Sequence, residues 1–234
     1  MTSLKPNVQS LAEQIYFWLK ERIIIGELKA GERLSVDQIA TEIGVSRTPV
    51  RDAVNRLALE GMLVVHPRRG TVVGSLSVQD IREVYQIRIF LEPAVAEYAA
   101  EHATDQLIAD LNELQAEWEK IDPAEVYRDF AVTSRYVEIN AAFHQRIAAQ
   151  TKNRRLEQTV VSLYLQPRMA TLIFGSNYQG PYRRMQEHRA IIDAIARRDP
   201  AGAYRAMRDH LRYAASNLTD FLSEPGRLGD ASAR

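Results

Sequence analysis

Gly44-Val45-Ser46-Arg47-Thr48-Pro49-Val50-Arg51-Asp52-Ala53-Val54-Asn55-Arg56-Leu57 reads as a tight turn running into a two-faced helix. Val50, Ala53, Val54 and Leu57 recur at helical spacing and should face a core. Arg47, Thr48, Arg51 and Asn55 take the opposite side. Ser46 stands at the N-cap position, where its hydroxyl can accept from a free backbone N–H. Pro49 falls in the first turn, where a missing N–H costs little. Arg47 and Arg51 are four residues apart, so both guanidinium groups project from the N-terminal end of one face. A helix entering a DNA major groove needs its arginines there.

The flanking residues extend this reading. Ser35-Val36-Asp37-Gln38 is a capping box that opens a short helix with Ile39, Ala40 and Ile43 inward, closed by Gly44. Helix, glycine-containing turn, helix is the helix-turn-helix layout. Upstream, Ser10-Leu11-Ala12-Glu13 is a second capping box. It opens a supporting helix with Leu11, Ile15, Trp18, Leu19, Arg22 and Ile23 on one side, ending at Gly26. Gly31-Glu32-Arg33-Leu34 reads as a turn and a short strand. Downstream, Leu63-Val64-Val65-His66, Pro67-Arg68-Arg69-Gly70 and Thr71-Val72-Val73 read as a hairpin with a Pro/Gly turn. Arg68, Arg69 and Gly70 at its tip are placed to reach phosphates or a minor groove. Residues 1–74 are therefore expected to form a winged helix-turn-helix, with Ser46, Arg47, Thr48, Pro49, Arg51, Asn55, Arg68, Arg69 and Gly70 as the DNA-binding candidates.

Residues 33–73 resemble the DNA-binding domain of the GntR family of bacterial transcription regulators. The residues that carry the likeness are Gly44-Val45-Ser46-Arg47-Thr48-Pro49-Val50-Arg51, Arg56-Leu57, Glu60-Gly61 and Arg69-Gly70-Thr71. One departure stands out. Members commonly have an acidic residue followed by a DNA-contacting Arg at the start of the second helix, where this chain has Val36-Asp37. The resemblance therefore implies that this contact is absent or replaced.

The chain has 234 residues, a length that suits two modest domains, and its formal net charge is zero. A DNA binder need not be basic overall if its positive charge is local. Ser46 to Val73 carries five arginines against Asp52 and Glu60, while residues 76–234 have a slight acidic excess. No cysteine is present, which excludes a disulfide framework and a thiolate metal site. The chain start lacks a basic-plus-apolar signal pattern, and no apolar run approaches the ~18 residues of a membrane span. A cytoplasmic protein without membrane association is expected.

Residues 75–77 read as a linker and 224–234 as a disordered tail. Between them, helices are expected near 78–101, 104–121, 123–150, 153–174, 179–198 and 200–223, with breaks at Thr104-Asp105, Asp122-Pro123, Asn153, Gly175-to-Pro181 and Asp199-Pro200. Six helices with inward stripes make an antiparallel bundle, so the fold class is mainly α: a winged helix-turn-helix followed by a six-helix bundle over 78–223. Behind a GntR-like head, this bundle resembles the FCD-type effector domain of the FadR subfamily, in its shorter VanR-like branch. The motifs are Arg88-Ile89-Phe90-Leu91-Glu92-Pro93, Phe143-His144, Glu187-His188-Arg189-Ala190-Ile191 and His210-Leu211.

Three of the five histidines fall on inward stripes: Phe130, Val137, Asn140, His144, Ile147 in the third bundle helix; Met185, His188, Ile191, Ile192, Ile195 in the fifth; Met207, His210, Leu211, Ala214, Leu218 in the sixth. A single buried histidine is ordinarily a satisfied core residue. Three in one small bundle, with Asn140 stacked one turn before His144, suggest a divalent transition-metal site, since neutral imidazoles are preferred ligands. The resemblance implies the same site, usually with Asp at the position of Asn140. Asn offers only a neutral carbonyl oxygen, so weaker binding is expected. Zinc is the first expectation, with nickel or manganese as alternatives.

Arg88 shares its helix face with Ile81, Val84, Leu91 and Val95. A buried guanidinium needs an anionic partner. That partner is either Glu92, four residues on, or the carboxylate of an effector clamped bidentately. His102 and His66 read as a helix cap and a wing neighbour, Trp18 as core, and Arg183-Arg184 and Arg197-Arg198 as solvated faces. The function expected is a ligand-responsive regulator, a repressor in the commoner family mode. It would bind operator DNA as a homodimer and respond to a small organic acid that meets the metal and Arg88. The alternatives are a regulator that senses the metal itself, and a metalloenzyme domain fused to a DNA-binding head. Against an enzyme, the chain has no His-Glu-x-x-His, nucleophile elbow or P-loop.

Overall fold

This computed structural model describes residues 10–24, 27–66, 70–74, 78–126, 128–164 and 181–223. The expected linker 75–77, the wing tip Arg68 and Arg69 and the tail 224–234 lie outside the described residues. The chain divides into two units, 1–75 and 76–234.

The first unit contains α1 (Leu11–Ile24), β1 (Arg33–Leu34), α2 (Val36–Glu42), α3 (Arg47–Leu59), β2 (Leu63–His66) and β3 (Gly70–Val73). The strands form one antiparallel sheet in the order β1-β3-β2, with Leu34 opposite Thr71 and His66 opposite Gly70. Helix α1 lies against α3. Ile15, Leu19 and Ile23 meet Val50, Ala53, Val54 and Leu57 in a core where each of these residues is almost fully buried. A fully buried Val or Leu contributes roughly 1.5–3 kcal/mol, so this face holds the recognition helix in place. The Ser35 hydroxyl accepts from the Gln38 amide at 3.3 Å, and the Ser10 hydroxyl accepts from that of Glu13 at 3.2 Å. Gly44 sits in the turn at φ 70°, a left-handed conformation that a side chain would strain. At Gly74 a Cβ would lie 2.7 Å from the Gly61 carbonyl oxygen, so only glycine lets the chain leave β3 here.

Three expectations for this unit are corrected. Ser46 takes the N-cap position of α3 but its side chain makes no capping bond. Pro49 stands at the third helical position and has no amide to offer that hydroxyl. Trp18 is only half-buried, under the Arg22 guanidinium at 4.5 Å, and Leu11 is 47% exposed. The interior instead takes Tyr16 and Lys20. The Tyr16 hydroxyl donates to Glu60 Oε1 at 2.6 Å, while Lys20 Nζ donates to the Tyr16 hydroxyl at 2.7 Å and pairs with Glu60 Oε2 at 3.2 Å. A buried lysine is tolerable here because the end of α3 supplies its counter-charge.

The second unit contains α4 (Val78–Glu101), α5 (Asp105–Glu119), α6 (Phe130–Ala149), α7 (Arg154–Leu163), α8 (Pro181–Ala196) and α9 (Pro200–Leu222). Helix α4 packs on α6, α7, α8 and α9, and α5 bridges α6 and α8. The core runs through Ile81, Val95, Leu111, Phe143, Ile147, Ile191, Ile195, Met207 and Leu211. Caps fall where the polar residues foretold them. Thr104 accepts from the Leu107 amide at 3.1 Å, and Asn153 accepts from those of Arg155 and Leu156 at 3.1 and 3.2 Å. The third helix begins at Phe130 rather than near 123. Asp122 accepts from the Ala124 amide at 2.8 Å and turns the chain at Pro123; Asp129 then caps α6 by accepting from the Val132 amide at 2.9 Å. The helix expected to run to 174 ends at Leu163 with Tyr164 as its C-cap, and residues 165–180 lie outside the described residues.

Candidate metal centre and nucleic-acid interface

On α3, Ser46, Arg47, Thr48, Arg51 and Asn55 are exposed, and Pro49 is half-buried in the first turn. Gly70 is exposed at the start of β3, while Arg68 and Arg69 fall outside the described residues. Arg47 is not alone on its face: its Nε lies 2.8 Å from Asp37 Oδ1 of α2. Arg56, one turn beyond Arg51 and Asp52, is half-exposed and folds over the Tyr16 ring at 3.8 Å, lying 3.9 Å from Glu60. The exposed apex of α3 thus carries two arginines with different surroundings, Arg47 paired with Asp37 and Arg51 in no ion pair among the described residues.

In the second unit, His144 of α6, His188 of α8 and His210 of α9 are buried, and one ring nitrogen of each lies within 4.8 Å of the others. Helix periodicity puts each histidine inward, and the packing of α8 against α9 sets His188 Nε2 3.3 Å from His210 Nε2. Phe143 stacks on His188 at 3.9 Å and Trp118 meets it edge-on at 4.3 Å, so apolar rings fix that imidazole. Two carboxylates stand behind the cluster. Glu92 Oε2 accepts from His144 Nδ1 at 2.6 Å, and Glu187 Oε2 accepts from His210 Nδ1 at 3.0 Å. Each fixes the proton on Nδ1 and leaves the Nε2 lone pair for the interior, the tautomer a metal ligand requires.

The electrostatics match that role. Burial pushes the His144 imidazole down to about 4, against the opposing pull of Glu92. Burial also holds His188 well below the ordinary imidazole value, with His210 and His144 adding to it. His210 is lowered by burial, which Glu187 opposes. All three are therefore neutral near pH 7. His144 Nε2, His188 Nδ1 and Asn140 Oδ1 are buried with no hydrogen-bond partner among the described residues. Buried polar atoms are ordinarily paired, so an open His144 Nε2 within the histidine cluster is what an electrophile bound there would satisfy. The three neutral imidazoles fit a divalent transition metal.

Arg88 is 2% exposed, and its Nε donates to Glu92 Oε1 at 2.6 Å. It also donates to the Tyr164 hydroxyl and stacks on that ring at 3.9 Å. Burial opposes the Arg88 charge, but Glu92 together with Tyr164 and Tyr85 overcomes it and holds the guanidinium above its ordinary value. Burial likewise opposes the Glu92 carboxylate, and Arg88 with His144 overcomes it to give about 2. Glu92, the partner within the same helix, is in contact with Arg88 as the spacing allowed.

Two family profiles match the chain: that of the bacterial regulatory proteins of the gntR family over residues 11–73, and that of the FCD domain over residues 83–213. The chain belongs to the GntR family, with an FCD domain. The HTH-type transcriptional regulator YdhC of Bacillus subtilis (strain 168) is 28% identical over 214 residues, covering 90% of this chain and 92% of its own. The HTH-type transcriptional repressor RspR of Escherichia coli (strain K12) is 25% identical over 223 residues, covering 95% of each. The solved structure of E. coli McbR/YncC shares the fold, with a TM-score of 0.64 and 24% identity over 91% of this chain and 99% of that one. GntR-family members are transcriptional regulators rather than enzymes; they bind operator DNA and typically act as dimers. FCD domains often bind metals.

Within this GntR regulator, sequence reasoning missed Glu92 and Glu187 as the carboxylates behind the histidines. Glu187 precedes His188 in sequence but bonds His210. Tyr164 carried no signal at all, being 76 residues from Arg88. Arg184 was expected to be solvated and is 5% exposed. Its neighbour Arg183 is the exposed one, on Tyr213 at 3.5 Å and paired with Glu187 at 2.9 Å. His102 bonds the Tyr98 carbonyl at 3.0 Å at the end of α4, and His66 is exposed at the end of β2. No helix among the described residues is long and apolar enough to cross a membrane.

Proposed function

We propose that this GntR regulator is a cytoplasmic homodimeric repressor whose FCD domain binds a divalent metal, zinc foremost, through His144, His188 and His210, with Asn140 as an oxygen ligand. The observation that supports the metal is the convergence of three buried neutral imidazoles, two of them oriented from behind by carboxylates. A divalent cation there would supply a Lewis-acidic centre with positions left for the oxygen of a small organic acid. The chain's own residues orient two imidazoles, exclude competing protons by burial and keep water out with Phe143 and Trp118. Operator DNA is bound by Arg47 and Arg51 with Ser46, Thr48, Pro49 and Asn55, and by Arg68, Arg69 and Gly70 of the wing. Repression is read from the likeness to RspR. The test is elemental analysis of tag-free protein beside His188→Ala, followed by gel-shift titration of operator with candidate organic acids. Metal in the parent, its loss in the variant and operator release by an acid are expected. A parent that takes up no zinc, nickel or manganese sinks the metal reading.

A second reading makes the metal itself the signal. It is favoured by the engagement of Arg88 with Glu92 and Tyr164, which already satisfies its charge without an effector carboxylate. Chelator alone would then change operator affinity, whereas under the first reading the acid acts on metal-loaded protein. Arg88→Ala separates the two further: it weakens an acid that uses the clamp and leaves a pure metal response in place.

A further inference from the structure

Asp37 occupies the first turn of α2, is 63% exposed, and sits 2.8 Å from the Nε of Arg47 at the apex of the recognition helix. Helix α2 contains no lysine or arginine, and its other acid, Glu42, lies 3.5 Å from Arg22. An acid at the mouth of a DNA-reading surface is repelled by phosphates unless a cation neutralises it. Its one observed partner is Arg47, whose side chain is itself 68% exposed. The contact engages Nε, the nitrogen on the inner edge of the guanidinium, and leaves the outer edge with both terminal nitrogens to face a base. That outer fork matches the N7 and O6 acceptors that guanine presents in the major groove. Arg51, four residues on, is exposed and makes no ion pair among the described residues.

We infer that Asp37 is a specificity-determining residue: it orients Arg47 to read one guanine in each half-site, while Arg51 is left to serve phosphates or any base within reach. The inference rests on the operator-binding reading of the head. The carboxylate has two consequences. It reduces the rotamers among which Arg47 must choose on entering the groove, and it subtracts a positive charge from contact with random sequence. Both favour one base over affinity for DNA in general. As an isolated exposed ion pair it is worth little to stability, so substitutions of Asp37 should leave the fold unchanged.

The test is selection of bound duplexes from a randomised library by full-length protein, in parallel for wild type, Asp37→Ala, Asp37→Asn, Arg47→Ala and Arg51→Ala. Wild type should select a motif with one strongly preferred guanine per half-site. Arg47→Ala should lose preference at that position, and both Asp37 variants should lose it there too, by about tenfold. Binding of Asp37→Ala to random duplex should tighten, because an acid has been removed, and its melting temperature should match wild type. A motif from Asp37→Ala as strong as the parent's overturns the inference, as does degeneracy at a position Arg47→Ala leaves intact. A uniform gain in affinity with the motif unchanged also overturns it, by reducing Asp37 to a general repulsive charge. Wild-type protein that selects no sequence overturns the operator-binding reading itself, and this inference with it.

Discussion

His144 is kept neutral chiefly by burial, with its imidazole down at about 4 against an ordinary 6.5. Unfolding releases it to the ordinary value, so below that value the unfolded chain binds the proton the folded chain refuses. The stability of metal-free protein is therefore full above the ordinary imidazole range and falls as pH drops toward 4, by on the order of 2 kcal/mol at pH 5 from this residue. His188 and His210 are shifted the same way and add to the loss. Glu92 gives a second limb at lower pH, since its carboxyl at about 2 lies below its ordinary 4.5. Urea midpoints of chelated protein at pH 8, 6 and 5 should decline in that order; a midpoint flat from 8 to 5 would show that the imidazoles are not held neutral. These histidines were legible because 144, 188 and 210 each fall on an apolar stripe of period 3.6, a local property of the sequence. The Glu92 bridge was not, because it joins Arg88 to a histidine 52 residues away, and only the packing of α4 on α6 creates it.

At the scale of elements, the same contrast separates the head from the bundle. Turns, caps and alternation specify the head nearly residue by residue, and its helices and three strands were readable down to the two-residue β1. In the bundle, helix existence followed from periodicity, but the start of α6 did not. Residues 123–129 have unremarkable helix propensity, and it is Asp122 with Asp129 that turns the chain aside and restarts it. The Asp129 carboxylate answers an otherwise open amide at the first turn of the helix that carries Asn140 and His144. Asp129→Ala should lower stability by about 1 kcal/mol, and Asp129→Asn by much less because the amide oxygen still caps. Thermal melts of the two variants beside the parent measure this. Equal losses for both would mean that charge, not capping, is what α6 requires. Ser46 is the counterpart in the head: it looks like a cap in sequence, but Pro49 has removed the amide at N3, so Ser46→Ala should change stability by only a few tenths of a kcal/mol.

At the scale of the whole molecule, the two units must communicate if the regulator responds to what its FCD domain binds. One winged head offers few base contacts, so two heads on a two-fold axis, meeting a near-palindromic operator, are expected; light scattering that finds a monomer both free and on DNA would exclude this. Metal binding at this cluster would join α6, α8 and α9 through one centre and would be absent from the unfolded chain, so at a hundredfold excess over its dissociation constant it should add about 2.7 kcal/mol of stability. His188→Ala should abolish that increment while retaining a folded bundle. Stabilisation alone does not make a sensor. If the metal, with or without an organic acid, changes operator affinity by some factor, operator must change the affinity for metal by the same factor, because both measure one coupling free energy. Two titrations close the cycle: operator into metal-stripped and metal-loaded dimer, and metal into free and operator-bound dimer. The expected factor is between about 5 and 150, equal in both directions, and absent in His188→Ala. A factor of one in both, with the melting increment intact, would make the cluster a structural staple of the bundle and leave the signal to be sought elsewhere in the FCD domain.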